Sequence, residues 1–179
     1  SRLDWTIDGK HWVTLDNEGE VRVFESATGK QTAYSEANFT QTRFATIVPF
    51  SKTILAAGWN DKVSRFHWGT GESRLLGMHS KITAAALSTD GGEWATAGRD
   101  NKIRFWNADV VKDDEALLTE WDTAPTTVVA LAYVPNSRTI AVADSDRRIS
   151  FWNRDTHKKS VELTPRKGTI RRMRMSSDG

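Results

Sequence analysis

Short apolar stretches alternate with polar, turn-forming segments along the whole chain. HWVTL (11–15), TILAAG (53–58), EWATAG (93–98) and TIAVAD (139–144) each run into a polar turn. Upstream of three of them lies another apolar stretch, RFATIV (43–48), ITAAALS (82–88) or VVALAYV (128–134). Downstream lies a third kind, in which a β-branched residue and a spacer precede an aromatic. It is clearest in GRDNKIRFWN (98–107) and DSDRRISFWN (144–153) and weaker in EGEVRVFES (18–26) and NDKVSRFHW (60–68). Short runs bounded by turn signals, with no 3.6-residue period, predict strands throughout and no helix.

Anchored on the aromatic that ends each third stretch, the copies fall at Phe24, Phe66, Trp106 and Trp152, with spacings of 42, 40 and 46 residues. The unit they define is a small antiparallel sheet, apolar on both faces, which buries itself only by stacking on its neighbours. With these residues in view the chain resembles the WD-repeat β-propellers. The fullest copy is GMHS (77–80) followed by ITAAALSTDGGEWATAGRDNKIRFWN (82–107), set against the family's Gly-His, Ser-Pro-Asp-Gly, Ser-Gly-Ser, Asp and Trp-Asp landmarks. It departs in Gly-Met-His for Gly-His and in Trp-Asn for Trp-Asp.

The resemblance implies an all-β propeller of about four blades: blade one over 1–36, two over 42–77, three over 79–120 and four over 126–164. Aligning TIRRMRMSSDG (169–179) with KITAAALSTDG (81–91) places the inner strand of a fifth blade over 168–179. Ser1 to Thr6 fall in the inner strand of the first. Both ends then claim equivalent inner positions, so the expectation is a segment of a larger propeller, its other blades coming from the same or another chain.

By the same resemblance blade three holds a structural hydrogen-bond network of His79, Thr96, Asp100 and Trp106. A buried indole N–H and a buried carboxylate both need partners, which explains the residue types. Blade four keeps Asp146 and Trp152 with Val142 at the hydroxyl position, and blades one and two carry Phe24 and Phe66 for the Trp. The family's partner-facing positions, carried over, are the turn residues Asn17, Trp59, Arg99 and Ser145 and the strand lead-in Lys81. Members of this family are mostly rigid protein-binding platforms without catalytic activity, so the expected role is a protein–protein interaction scaffold. The alternative is a sensor or regulatory propeller of an enzyme, such as a kinase or nucleotide-hydrolysing switch, whose catalytic domain lies outside these 179 residues.

Composition narrows the chemistry. Cysteine is absent, which removes disulfides and thiolates and agrees with a reducing, cytoplasmic setting. No apolar run reaches membrane-spanning length. The four histidines lack metal spacing, and the Gly-x-Gly of HWGTGES (67–73) lies between strands and precedes no helix, so neither a metal, a phosphate loop nor another cofactor is indicated. The net charge of +2 argues against nucleic acid as the main partner. Residues 147–174 nevertheless hold ten Lys or Arg against two acids, leaving the remainder of the chain at −6. This stretch offers a third reading, nucleic-acid binding; its balancing partners within the chain are expected among the acids of 109–122, including Asp113, Asp114, Glu115, Glu120 and Asp122. Arg171, Arg172 and Arg174 alternate with Met173 and Met175 and are candidate contacts for an acidic partner.

Overall fold

The computed structural model describes residues 2–6, 8–16, 18–35, 41–58, 60–109, 116–123, 125–164 and 167–176. Among them are sixteen strands and no helix. The first sheet comprises β1 (Arg2–Trp5), β2 (His11–Leu15), β3 (Val21–Glu25) and β4 (Gln31–Ser35). The second comprises β5 (Thr42–Ile47), β6 (Thr53–Gly58), β7 (Lys62–His67) and β8 (Glu72–Met78). The third comprises β9 (Ala84–Leu87), β10 (Glu93–Ala97), β11 (Lys102–Asn107) and β12 (Leu117–Asp122). The fourth comprises β13 (Val128–Tyr133), β14 (Thr139–Asp144), β15 (Ile149–Asn153) and β16 (Lys159–Leu163). In every sheet the strands lie in chain order and pair antiparallel, as four-stranded propeller blades do.

The turns repeat as faithfully as the strands. Between the second and third strands one residue always takes a left-handed backbone: Gly19 (φ 88°), Asp61 (62°), Asn101 (61°) and Arg147 (69°). Between the first and second strands the same holds for Gly9, Phe50, Gly91 and Asn136. A β-branched or bulky residue is costly there, and Gly and Asn are the residues that tolerate it best. In three sheets a register shift falls at the anchor aromatic, next to Phe24, Trp106 or Trp152; in the second it lies between Val63 and Ser64.

The chain forms two compact units, Ser1–Met78 with Val110–Ala116, and His79–Asp109 with Leu117–Gly179. In the first, alternate residues of β2 and β3 (Val13, Leu15, Val21, Val23) pack on Ile54, Ala56, Phe66 and Trp68 of the second sheet. In the other, Ala95, Ala97, Ile103, Phe105 and Trp121 of the third sheet meet Val128, Leu131, Ile140 and Val142 of the fourth. The second strand of the second sheet, β6, is buried along its whole length. The outer strands β4, β8, β12 and β16 are largely exposed and intersperse polar or charged residues among the apolar ones, which is why no apolar pattern announces them in the sequence. Residues 167–176 carry no strand. The inner strand expected to open a fifth blade over 168–179 is thus absent from residues 168–176. Residues 177–179 of that segment lie outside the described residues.

Candidate functional site

The third sheet brings His79, Thr96, Asp100 and Trp106 together. Trp106 Nε1–H donates to Thr96 Oγ1 at 2.8 Å, and the Thr96 hydroxyl donates to His79 Nδ1 at 2.7 Å. His79 Nε2–H then donates to Asp100 Oδ1 at 3.1 Å. The indole can only donate, so each proton along the chain has one consistent direction. Asp100 is further held by Arg104 Nη1 at 2.7 Å and accepts the Lys102 N–H at 3.2 Å, closing the turn between β10 and β11. Gly98 is required where the network passes, because a Cβ there would collide with Ser80 O and His79 Nε2.

Burial pushes the His79 imidazole below its ordinary value, and the nearby Arg104 charge adds to this; Asp100 opposes both. Burial alone would raise the Asp100 carboxyl, but the hydrogen bond from Arg104 and the neighbouring His79 and Arg104 hold it below the usual carboxylate range. The pair is therefore a neutral imidazole on a carboxylate. Thr, His and Asp in series resemble a nucleophile set, but Thr96 is 0 % exposed and His79 1 %. A hydroxyl sealed from solvent and held on both sides by Trp106 and His79 cannot reach a substrate.

The fourth sheet departs from this arrangement at four places. Thr126 stands where the third sheet has His79, Val142 where it has Thr96, Ser150 where it has Arg104, and Asp144 where it has Gly98, while Trp152 keeps the Trp106 place. Asp146, read from the sequence as the equivalent of Asp100, does not take that role. Its side chain is 59 % exposed and pairs with Arg148 Nη2 at 3.0 Å. The turn amide of Arg148 goes instead to Asp144 Oδ1 at 2.9 Å, and Arg148 Nε and Thr126 Oγ1 donate to Asp144 Oδ2. Asp16 of the first sheet does the same for Glu20 N and Arg22. The signal was in the sequence: Gly58 and Gly98 occupy this position in two copies, Asp16 and Asp144 in the other two.

Of the partner-facing candidates, Lys81, Arg99 and Ser145 are exposed. Arg99 N bonds Ser80 O at 3.2 Å, and Ser145 N bonds Thr127 O at 2.8 Å, so each turn is tied to the loop leading into its own sheet. Lys81 has a left-handed backbone (φ 47°) directly after the loop that supplies His79. Lys81 and Arg99 thus share one edge of the third sheet, and Ser145 lies on the corresponding edge of the fourth. Asn17 and Trp59 lie outside the described residues. Arg171, Arg172 and Arg174 are exposed, with Met173 and Met175 half-buried between them.

The basic stretch is partly neutralised; of the acids expected over 109–122, Asp113, Asp114 and Glu115 lie outside the described residues. Arg148 pairs with Asp144 and Asp146, Lys159 with Glu162, and Arg154 with Glu93, whereas Glu120 serves Lys102 and Arg104. Among the described residues no group of three or more His, Asp or Glu is placed to hold a metal, and no helix is long and apolar enough to cross a membrane.

The family model for the WD domain, G-beta repeat, matches residues 72–107 and 117–153. Each match begins on the outer strand of one sheet, β8 or β12, and continues through the first three strands of the next, so the sequence repeat and the sheet are staggered by one strand. No curated protein matches the chain. Two matched repeats, together with the same four-stranded unit formed four times, support a WD-repeat assignment.

Proposed function

We propose that this chain is a non-catalytic platform for protein partners, and that the sheet edge bearing Lys81, Arg99 and Ser145 is its contact face. WD repeats generally mediate protein–protein interaction. The observation that carries the reading is the exposed Arg99 on a turn that is fixed from below. Its backbone is bonded to Ser80, and the next residue, Asp100, is locked to His79 and Arg104. A charged side chain on such a rigid base meets a partner at little entropic cost, and Arg is among the residues most enriched at interface hot spots. Lys81 adds a second cation on the same edge, so the fitting partner presents an acidic residue.

A photo-crosslinking residue placed at Arg99 or Ser145 should join the chain to a defined partner protein, while the same residue at Ser160 on the outer strand β16 should not. Arg99→Glu should weaken that partner's binding about tenfold or more without moving the melting temperature, since Arg99 lies outside the buried network. Equal crosslinking from all three positions, or unchanged affinity of the Arg99→Glu variant, would place the contact face elsewhere.

A further inference from the structure

Between the third and fourth sheets lies a cavity of about 300 Å³. Its walls include Trp121 of β12, Trp152 and Val142 of the fourth sheet, and the carboxylates of Asp122, Asp144 and Glu120. Its origin is the change of residues between repeats. In the third sheet the equivalent space holds the His79 imidazole and the Arg104 guanidinium, each bonded to Asp100. In the fourth, Thr126 and Ser150 stand in those two places, and both line the cavity. Two planar, nitrogen-bearing groups give way to two short hydroxyls, and Asp144, at the Gly98 position, takes up part of the vacated space. The Trp that closed the network remains, and Val142 offers the Trp152 indole no acceptor.

We propose that this cavity receives an arginine side chain from a protein partner, its guanidinium taking the space that His79 and Arg104 fill in the neighbouring sheet. The inference rests on the reading of the chain as a protein-binding platform. Flat aromatic walls favour a planar cation that stacks, and a guanidinium stacks where an ammonium does not. Stacking of this kind already occurs at the same junction, where Arg154 lies 4.2 Å from the centre of the Phe105 ring and 5.8 Å from that of Trp121. The charge partner is Asp122. Asp144 is engaged by Arg148 and Thr126, and Glu120 by Lys102 and Arg104, whereas Asp122 lies across the sheet from Lys102 and feels its charge without forming an ion pair among the described residues. The volume lies at the lower end of the range for ligand pockets, about 300–1,000 Å³, and suits one side chain rather than a larger ligand. The cavity also opens where a partner would lie. Thr123 and Thr126 are in the loop leading into the fourth sheet, and Thr127 O of that loop holds the turn amide of Ser145.

The test uses the full chain, with the Trp121 and Trp152 indole N–H resonances as reporters. They are titrated with Nα-acetyl-arginine methylamide, its neutral citrulline isostere and the lysine analogue. The arginine compound should shift both resonances saturably, and the other two should bind at least tenfold more weakly. Asp122→Asn, an exposed change that leaves the core intact, should weaken the arginine compound about tenfold. Thr126→His with Val142→Thr and Asp144→Gly, which restores the His, Thr and Gly of the third sheet in the fourth, should abolish its binding in a variant that still melts cooperatively. Equal affinity for the citrulline or lysine compound, no indole shift with any of the three, or unaltered binding by both variants would overturn the proposal. Crosslinking through Arg99 is scored in parallel. Arginine binding lost with that crosslink retained sinks the cavity assignment alone, and arginine binding without any partner crosslink sinks the platform reading that it rests on.

Discussion

His79 shows what one residue contributes when both of its ring nitrogens are engaged. Removing it leaves the buried Thr96 hydroxyl without its acceptor and the half-buried Asp100 carboxylate without one of its donors. His79→Ala should therefore cost about 1–3 kcal/mol in denaturant melts. Glu18→Ala, at the corresponding turn of the first sheet where Phe24 replaces the Trp, should cost clearly less. The imidazole also makes a specific pH prediction. Its folded value lies below the ordinary 6.5, because burial disfavours the charged form. The unfolded chain therefore binds a proton that the folded chain does not over the interval beneath 6.5, and stability falls as pH drops through it. Above 6.5 the contribution is fully present. The lowered aspartates, Asp100, Asp144, Asp16 and Asp90, act only at more acid pH, as their ordinary value is 3.8. Denaturant midpoints of the parent should decline between about pH 6.5 and 5, and those of His79→Gln should be flat there. Parallel profiles for the two proteins would show that the imidazole is not the titrating group.

At the scale of the element, the third and fourth sheets are clasped by a cluster that no repeat motif marks. Arg154, in the turn between β15 and β16, makes a two-pronged pair with Glu93 of β10 at 2.7–3.0 Å, and Tyr133 of β13 donates its hydroxyl to the same carboxylate at 2.8 Å. The two charged side chains are 11 % and 13 % exposed. Burial, with Glu93 beside it, raises the Tyr133 phenol well above its ordinary range, so it stays a donor at every physiological pH. Arg154→Ala leaves a buried carboxylate with the Tyr133 hydroxyl as its remaining partner and should cost about 3 kcal/mol or more, whereas Arg154→Met combined with Glu93→Gln should cost less than the single change. A double variant no better than the single one would show that the pair itself stabilises the junction. This clasp also marks the limit of what the sequence discloses. Strand positions were legible because alternation and turn chemistry are local: TILAAG (53–58) is β6 to the residue, and the network of His79, Thr96, Asp100 and Trp106 follows from one well-kept copy. Partners of surface charges are not local. Glu93 and Arg154 are separated by 61 positions, and only the stacking of sheets brings them together, so the basic stretch could not be matched to its acids by proximity in the chain. The cavity beside Trp152 was hidden for a related reason, because it arises from two residues made smaller in one copy relative to another, Thr126 and Ser150, and volume is a property of the assembled junction.

For the molecule as a whole, repetition sets how a local injury spreads. In a repeat protein each unit contacts only its neighbours, and stability is close to a sum of unit and junction contributions. Here the chain separates into two compact units, and the network of His79 lies wholly within the one that holds the third and fourth sheets. The first sheet owes its burial to different contacts, the packing of Val13, Leu15, Val21 and Val23 on Ile54, Ala56, Phe66 and Trp68. Opening of the third sheet need not open the first. Native-state amide exchange should therefore show His79→Ala lowering protection most in β10 and β11, which carry Thr96 and Trp106, and next in β13 and β14, which lose a firm neighbour. Protection in β2 and β3 should change by less than a third of that, expressed as the free energy of opening. The measurement separates two descriptions of the same fold. A loss spread evenly over all four sheets would mean that they unfold as one cooperative body, and that a weak copy such as the first is held by the whole. A graded loss would mean that each junction stands largely on its own residues, so a repeat free of the His network can change its residues, as the fourth has, without unfolding its neighbours.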